Sequence, residues 1–452
     1  MYFVFCFRCV NLFYRVLLIE KCFTDKDMKS IFRTSLLLFC IALYGVPSEA
    51  QDSIGEKGPG PVILISRDKN GQDEIVNVFK ETQRQHFHDP GIPRFLLADR
   101  KRKWALGVGG YVQAVVEYDF GGISDDIDFF PAFISGGKPR SQFQMDITTS
   151  TLFLKLVGRV GKWGNIIVYT AGNWRGDGNT FELQNAYVQF LGITFGYDTG
   201  TFMDLAAGPP TIDFAGPCGM TSYRTSLVRY ERTLGKGFSV GIALEMPGIE
   251  GATDRYTSVD HQLVPSVPAY VQYGWNKGRS HIRLSGIYRN IAYTDLTNDK
   301  SNSQTGWGVQ ATSVVAIGKP FQIYLQYAYG KGIGSLINDI SNLSVDIVPD
   351  VDDVGKMQLL PMSGWYAGVQ YNFTPKIFMS ATYSQSMLHA GNYYRIVNPE
   401  QYKLGQYLVT NLFWNVISDL QLGMEYLHGW RKDFDKNGDQ ANRINLSAKF
   451  SF

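Results

Sequence analysis

Beyond residue 103, apolar and polar side chains alternate in runs of about ten residues, separated by turn residues, which is the pattern of tilted strands crossing a bilayer. The last run is the cleanest: in Arg443 to Phe452 (R-I-N-L-S-A-K-F-S-F), Ile444, Leu446, Ala448, Phe450 and Phe452 share one face of a strand. An apolar strand face ending on an aromatic residue reads as the closing strand of an outer-membrane barrel. The same alternation predicts strands at 104–119, 141–158, 165–175, 180–191, 193–199, 223–234, 237–247, 266–275, 279–293, 304–317, 320–331, 361–373, 376–389, 404–416, 419–431 and 440–452. The fold class expected is therefore all-β: a transmembrane antiparallel β-barrel of about sixteen strands.

The connections support this reading. Short turns such as Gly161-Lys162-Trp163-Gly164, Leu191-Gly192, Gly235-Lys236 and Asn276-Lys277-Gly278 alternate with longer links near 120–140, 200–222, 248–265 and 332–360. Bacterial barrels divide periplasmic turns from extracellular loops in this way, and an even strand number puts both chain ends in the periplasm. Two strands assign their faces. Ile282, Leu284, Gly286 and Tyr288 look to lipid and His281, Arg283, Ser285, Ile287 and Arg289 to the lumen; Phe321, Ile323, Leu325, Tyr327 and Tyr329 look out and Gln322, Tyr324, Gln326 and Ala328 in. A cation on the lipid face at mid-bilayer costs about 2–4 kcal/mol, which fixes Arg283 and Arg289 inward. Ser226 to Glu231 fits either parity, and Thr148 to Thr151 predicts a bulge.

Met28 to Gln51 carries the basic n-region Lys29 and Arg33, an apolar stretch from Ser35 to Tyr44, and Ser48-Glu49-Ala50 as a cleavage site. Three regions follow: residues 1–50 as an upstream segment and signal peptide, 51–103 as a periplasmic extension, and 104–452 as the barrel. No later stretch approaches a transmembrane helix of about 20 residues.

Composition narrows the chemistry. Aromatic residues make up 14% and there are 47 glycines, which fits interface girdles and tight turns. Charge is balanced, 43 Lys and Arg against 41 Asp and Glu, so no basic excess points to nucleic acid. Four of the five cysteines precede residue 51, leaving Cys218 alone and excluding a disulfide framework or zinc cluster; Cys218 is expected to pack as a small hydrophobe. No cofactor is expected, and no nucleophile elbow, P-loop or H-E-x-x-H occurs. Asp346, Asp350, Asp352 and Asp353 could hold Ca²⁺ but need no metal as a solvated loop; His86 and His88 near Asp89 have a spacing possible for a metal but more often accidental. Tyr169, Tyr324 and Tyr230 either line a path or pack in the wall.

A barrel of this size leaves an aqueous lumen unless chain folds into it. Thr201 to Ser222, T-F-M-D-L-A-A-G-P-P-T-I-D-F-A-G-P-C-G-M-T-S, is too apolar for an exposed loop, because Phe202, Met203, Ile212 and Phe214 need a surface to bury against. This is the expected infolded constriction loop. With the preceding A-Y-V-Q-F-L-G-I-T-F-G and the following R-T-S-L-V-R-Y-E-R, it resembles the DcaP-like trimeric outer-membrane channels, a likeness that runs from Trp104 to Phe452. No heptad-bearing coiled coil precedes the barrel here, only the extension from Gln51. The resemblance implies a homotrimeric porin in outer-membrane lipid that passes small anionic solutes such as dicarboxylates through an arginine-lined constriction. It places the constriction motif on Phe202, Met203, Asp204, Pro209, Asp213, Phe214, Gly216 and Pro217, and the basic wall on Arg224, Arg229 and Arg232, joined by Arg283 and Arg289 from the strand faces.

Guanidinium groups keep their charge at any working pH and pair carboxylates bidentately, so such a row concentrates anions. Asp204 and Asp213 either oppose it as a transverse field or hold the loop by bonding backbone N–H groups and arginines. The alternative function is a barrel enzyme of lipase or protease type, for which His261 and His389 are available near the outer rim.

Overall fold

A computed structural model describes residues 62–63, 74–84, 86–99, 103–120, 127–134 and 141–452; the signal-peptide reading of 1–50 lies outside them. Sixteen strands form the barrel: β1 (Trp104–Phe120), β2 (Ser141–Asp146 and Thr151–Arg159), β3 (Asn165–Gly176), β4 (Thr180–Phe190), β5 (Ile193–Thr199), β6 (Arg224–Gly235), β7 (Phe238–Glu245) and β8 (Val267–Trp275), followed by β9 (Ser280–Asp295), β10 (Lys300–Ile317), β11 (Phe321–Lys331), β12 (Pro361–Asn372), β13 (Ile377–Leu388), β14 (Tyr402–Asn415), β15 (Leu420–Asp433) and β16 (Gly438–Ser451). Each pairs antiparallel with the next, and β16 returns to β1 from Asn442↔Phe120 to Ser451↔Tyr111, which closes the sheet. Closure leaves no open edge along the seam.

The bulge falls where the sequence predicts it. β2 breaks between Asp146 and Thr151, where Asp146 Oδ1 accepts the Thr148 N–H at 2.9 Å and Thr148 O accepts the Trp174 N–H at 2.9 Å. In β9 and β11 the faces are as expected: Ile282, Leu284, Tyr288, Leu325 and Tyr327 are exposed on the outside, while His281, Ser285, Arg289, Tyr324 and Gln326 are buried within. In β6 the ambiguous parity resolves by its partner, since Arg229 lies opposite the buried Thr194 and Val228 opposite the exposed Phe195. Link lengths alternate less strictly than the sequence suggests, because three outer connections, 177–179, 296–299 and 434–437, are themselves tight. β5, with 7 residues, also leaves the outer rim low beside β4.

Three outer loops fold inward and fill one side of the lumen. Phe202 packs with Ile287, Ile333, Leu336, Ile337, Ile340, Met362 and Leu388, and Phe129 with Ile134, Cys218, Tyr407, Val409 and Leu427. The stretch from Gly332 therefore contributes core, where the sequence suggested an acidic extracellular loop.

The chain before β1 also enters. Helix α1 (Glu74–Glu81) places Ile75, Val76 and Phe79 on a three- and four-residue spacing against Ala105, Val157 and Ile167 of the inner wall. Phe79 is fully buried, a burial that contributes about 1.5–3 kcal/mol. After α1 the chain turns back and forms a short strand, Phe95–Ala98, antiparallel to the start of β1 from Phe95↔Val108 to Ala98↔Ala105. That strand continues the line of β16 along β1. Where they meet, a Cβ on Gly109 would stand 2.7 Å from both Phe452 O and Pro93 Cβ, so the position admits only glycine.

Candidate functional site

The infolded loop leaves β5 at Thr199, crosses the lumen and returns at Arg224. Its base is stapled by Glu245, whose carboxylate accepts the Thr201 N–H at 2.6 Å and the Tyr223 hydroxyl at 2.9 Å. Asp204 then ties it to β9 and β10: Thr312 Oγ1 donates at 2.5 Å, His281 Nε2 lies at 2.8 Å and Arg283 Nε at 3.8 Å. Burial by itself would raise this carboxyl, but Arg283 and the bonds from His281 and Thr312 outweigh it and hold the pKa at about 2. Across the lumen, Glu425 of β15 accepts the Ile212 and Asp213 N–H groups at 2.6 and 2.8 Å. Asp213 accepts the Tyr407 hydroxyl at 2.9 Å and the Ala215 N–H at 3.3 Å, and burial, with Asp128 and Glu425 nearby, pushes its pKa well up. Both aspartates thus make bonds that anchor the loop. The return limb presses close to the wall, as a Cβ on Gly219 would meet Gln385 O at 2.2 Å.

The five arginines separate by surroundings. Arg229 bonds Asp198 at 2.9 Å and Thr199 O at 3.1 Å, with Glu231 at 3.1 Å. Arg283 bonds Gln272 at 2.8 Å and Met203 O at 3.2 Å, and its guanidinium lies 4.1 Å from the Tyr270 ring centroid. Both line an inner-end cavity of about 560 Å³. Arg224 lines a second cavity of about 360 Å³, and among the described residues no hydrogen bond or ion pair holds its guanidinium.

The other two are corrections. Arg289 faces inward but not the passage: it is fully buried, donates to Gly332 O at 2.7 Å and Gly248 O at 2.6 Å, and pairs with Asp346 at 3.2 Å, so it fastens the outer loops. Arg232 lies opposite Val240, well down β6 on the face of the exposed Val228 and Tyr230, whereas Arg224 sits at the head of the strand where the chain arrives from the infolded loop. Tyr230 is exposed there too and lines no path, whereas Tyr169 lines the smaller cavity. Phe202 is core, and Phe214 faces the cavity with Arg175 5.0 Å from its ring centroid and His88 at 5.3 Å.

Several residues at the site were missed. Arg175, paired with Asp128, and Arg84, paired with Asp198 at 2.8 Å, add charge to the walls. The two cavities share His86, Asp89, Thr199, Met203 and Leu205, which mark the junction between them. Burial, opposed by Asp89 and assisted by Arg84 and Arg224, lowers the His86 pKa to about 4, and burial beside His86 also lowers that of His88, so both imidazoles are neutral near pH 7.

A protein-family model for the DcaP outer membrane protein matches residues 138–452. The chain belongs to the DcaP outer membrane protein family. Its seat is accordingly the bacterial outer membrane. The crystal structure of the outer membrane channel DcaP of Acinetobacter baumannii is similar with a TM-score of 0.69 at 22% identity, over 78% of this chain and 99% of that one. OmpT of Vibrio cholerae and the anion-selective porin from Comamonas acidovorans each reach a TM-score of 0.49 at 12% identity, over 77% of this chain and 98% and 100% of theirs. No curated protein matches the chain.

The remaining expectations can be placed on this DcaP-family barrel. Asp346 is committed to Arg289 and to the N–H groups of Ser335 and Glu250, and Asp353 pairs with Lys356, which takes two carboxylates from any calcium set. Among the described residues no group of three metal-ligating side chains converges. His389 Nε2 lies 2.9 Å from Ser363 Oγ, the arrangement nearest to the enzyme alternative, but among the described residues no carboxylate bonds the imidazole to orient it. Cys218 is buried in apolar contact, 3.6 Å from Ser384 Oγ.

Proposed function

We propose that this DcaP-family porin passes small anionic solutes, dicarboxylates among them, by passive diffusion past Arg175, Arg224, Arg229 and Arg283, and that it works as a homotrimer in outer-membrane lipid. One observation carries the anion preference: Arg224 stands in the cavity wall and among the described residues makes no ion pair, while nearby acids are already committed, Asp89 to Arg84, Asp198 to Arg84 and Arg229, and Asp204 to the loop anchor. A guanidinium in the passage wall with no ion pair offers an entering carboxylate a partner. At about 4 Å and an effective dielectric near 20, one such pair is worth about 4 kcal/mol before desolvation, which is weak enough to release. The trimer rests on the resemblance of the barrel sequence to trimeric channels.

Reversal potential across a planar bilayer under a salt gradient tests the first part. The sign of anion selectivity, with current reduced by an added dicarboxylate, is the expected result; cation selectivity overturns it. Cross-linking in native membranes tests the assembly, where a monomeric band alone counts against it.

A further inference from the structure

The junction between the two cavities has two lips, and they differ in origin. One is the infolded loop at Met203–Leu205; the other is His86–Asp89, which belongs to the chain before the barrel. The two are in contact, since a Cβ on Gly208 would stand 2.8 Å from His86 Nε2 and the His88 ring lies against Phe214 at 5.3 Å.

Wall residues grip this segment mostly by its backbone carbonyls. Lys155 Nζ donates to Phe79 O at 2.9 Å, Tyr111 hydroxyl to His88 O at 3.1 Å and Lys449 Nζ to Phe87 O at 3.3 Å. Arg84 adds its pair with Asp198 at 2.8 Å, and Arg94 pairs with Asp419 in the turn before β15. Lys155 and Lys449 stand on lumen faces, and among the described residues neither makes an ion pair; both donate to carbonyl oxygens of the segment. The wall is thus built to receive it.

We infer that Glu74 to Arg94 is a resident constriction element, which sets the width and part of the selectivity of the pore from inside the barrel. The inference rests on the channel reading above. With the segment gone, the junction loses one lip and Lys155 and Lys449 face open water.

Two experiments test it, both on the whole barrel in planar bilayers. A chain lacking residues 51–94, its folding checked by heat-modified migration, is expected to conduct at least about two-fold more than the full chain. In a Cys218→Ser background, His86→Cys treated with a bulky sulfonated thiol reagent is expected to lose about a third or more of its current. Unchanged conductance in the folded deletion chain, or an His86→Cys channel indifferent to the reagent, overturns the inference while leaving the porin reading intact. If the deletion chain does not fold, the thiol experiment decides alone. A full-length protein that carries no current overturns both readings.

Discussion

Arg443 and Arg224 both reach into the same lumen, yet they serve opposite ends. Arg443, from β16, is wholly buried: it pairs with Asp119 at 2.6 Å and Glu117 at 3.3 Å, bonds Ile127 O at 2.6 Å and faces the Phe129 ring. Arg224, at the head of β6, lines water-accessible space. Around Arg443 and Arg289 the barrel is packed with loops whose charges are matched. Around Arg224 and Arg175 it is open, and the wall carries charge toward the space a solute would occupy. One circular wall thus holds a protein interior on one side and a passage on the other. A buried arginine costs desolvation that only its acids and carbonyls offset, whereas a lumenal one keeps its hydration and its reach.

The contrast is broken most severely at Arg443. Arg443→Met strands Glu117 and Asp119 in the packed half and is expected to cost about 3–5 kcal/mol, read as a lower urea midpoint or a loss of folded barrel. Asp204→Asn should do less, about 1–3 kcal/mol: it keeps the shape of the anchor but gives up the charge that Arg283 and His281 attend, and the expected readout is a noisier open-channel current. On the open side, Arg224→Gln should leave stability within about 0.5 kcal/mol of the parent while moving the reversal potential toward zero. A large stability loss there would erase the distinction between the halves.

Acidification sharpens the same comparison. His86, with a pKa of about 4, and His88, also lowered, stay neutral from pH 8 to about 5, so ion preference should be flat over that range as far as these groups determine it. Below about 4, protonation of His86 adds positive charge at the junction, and anion preference should rise, read as a shift of the reversal potential. The smallest effect is expected from Arg232→Gln. Its side chain faces outward, and a reversal potential changed by that substitution would contradict the parity of β6.

Legibility in the sequence followed the solvent. Lipid enforces a period of two through the middle of β9 and β11, so the faces of Ile282 to Arg289 and Phe321 to Tyr329 could be read directly. β6 mixes polar and apolar residues on both faces, and there the parity failed for Arg232. The burial of Arg289 was hidden because its partners, Gly248, Gly332 and Asp346, arrive from separate loops. In the loop from Gly332, the acids drew the eye away from Ile333, Leu336, Ile337 and Ile340, whose close apolar spacing marks burial. The segment at 74–94 gave no period beyond one short helix, since it is held through backbone carbonyls, and a carbonyl is the same in every residue.

The end-to-end meeting of β16 with the strand Phe95–Ala98 acts as a gauge for the closing seam. Phe452 exchanges backbone bonds of 3.1 and 3.0 Å with Gly110, and the next wall position along β1 belongs to the incoming strand, opposite Val108. A closing strand that slid one step toward the periplasm would run into this abutment at Gly109, and one that slid the other way would leave a gap in the backbone ladder beside lipid. Zippers are kept in step by a fixed pin at the bottom of the track; in this barrel the pin is chain that comes before the track begins.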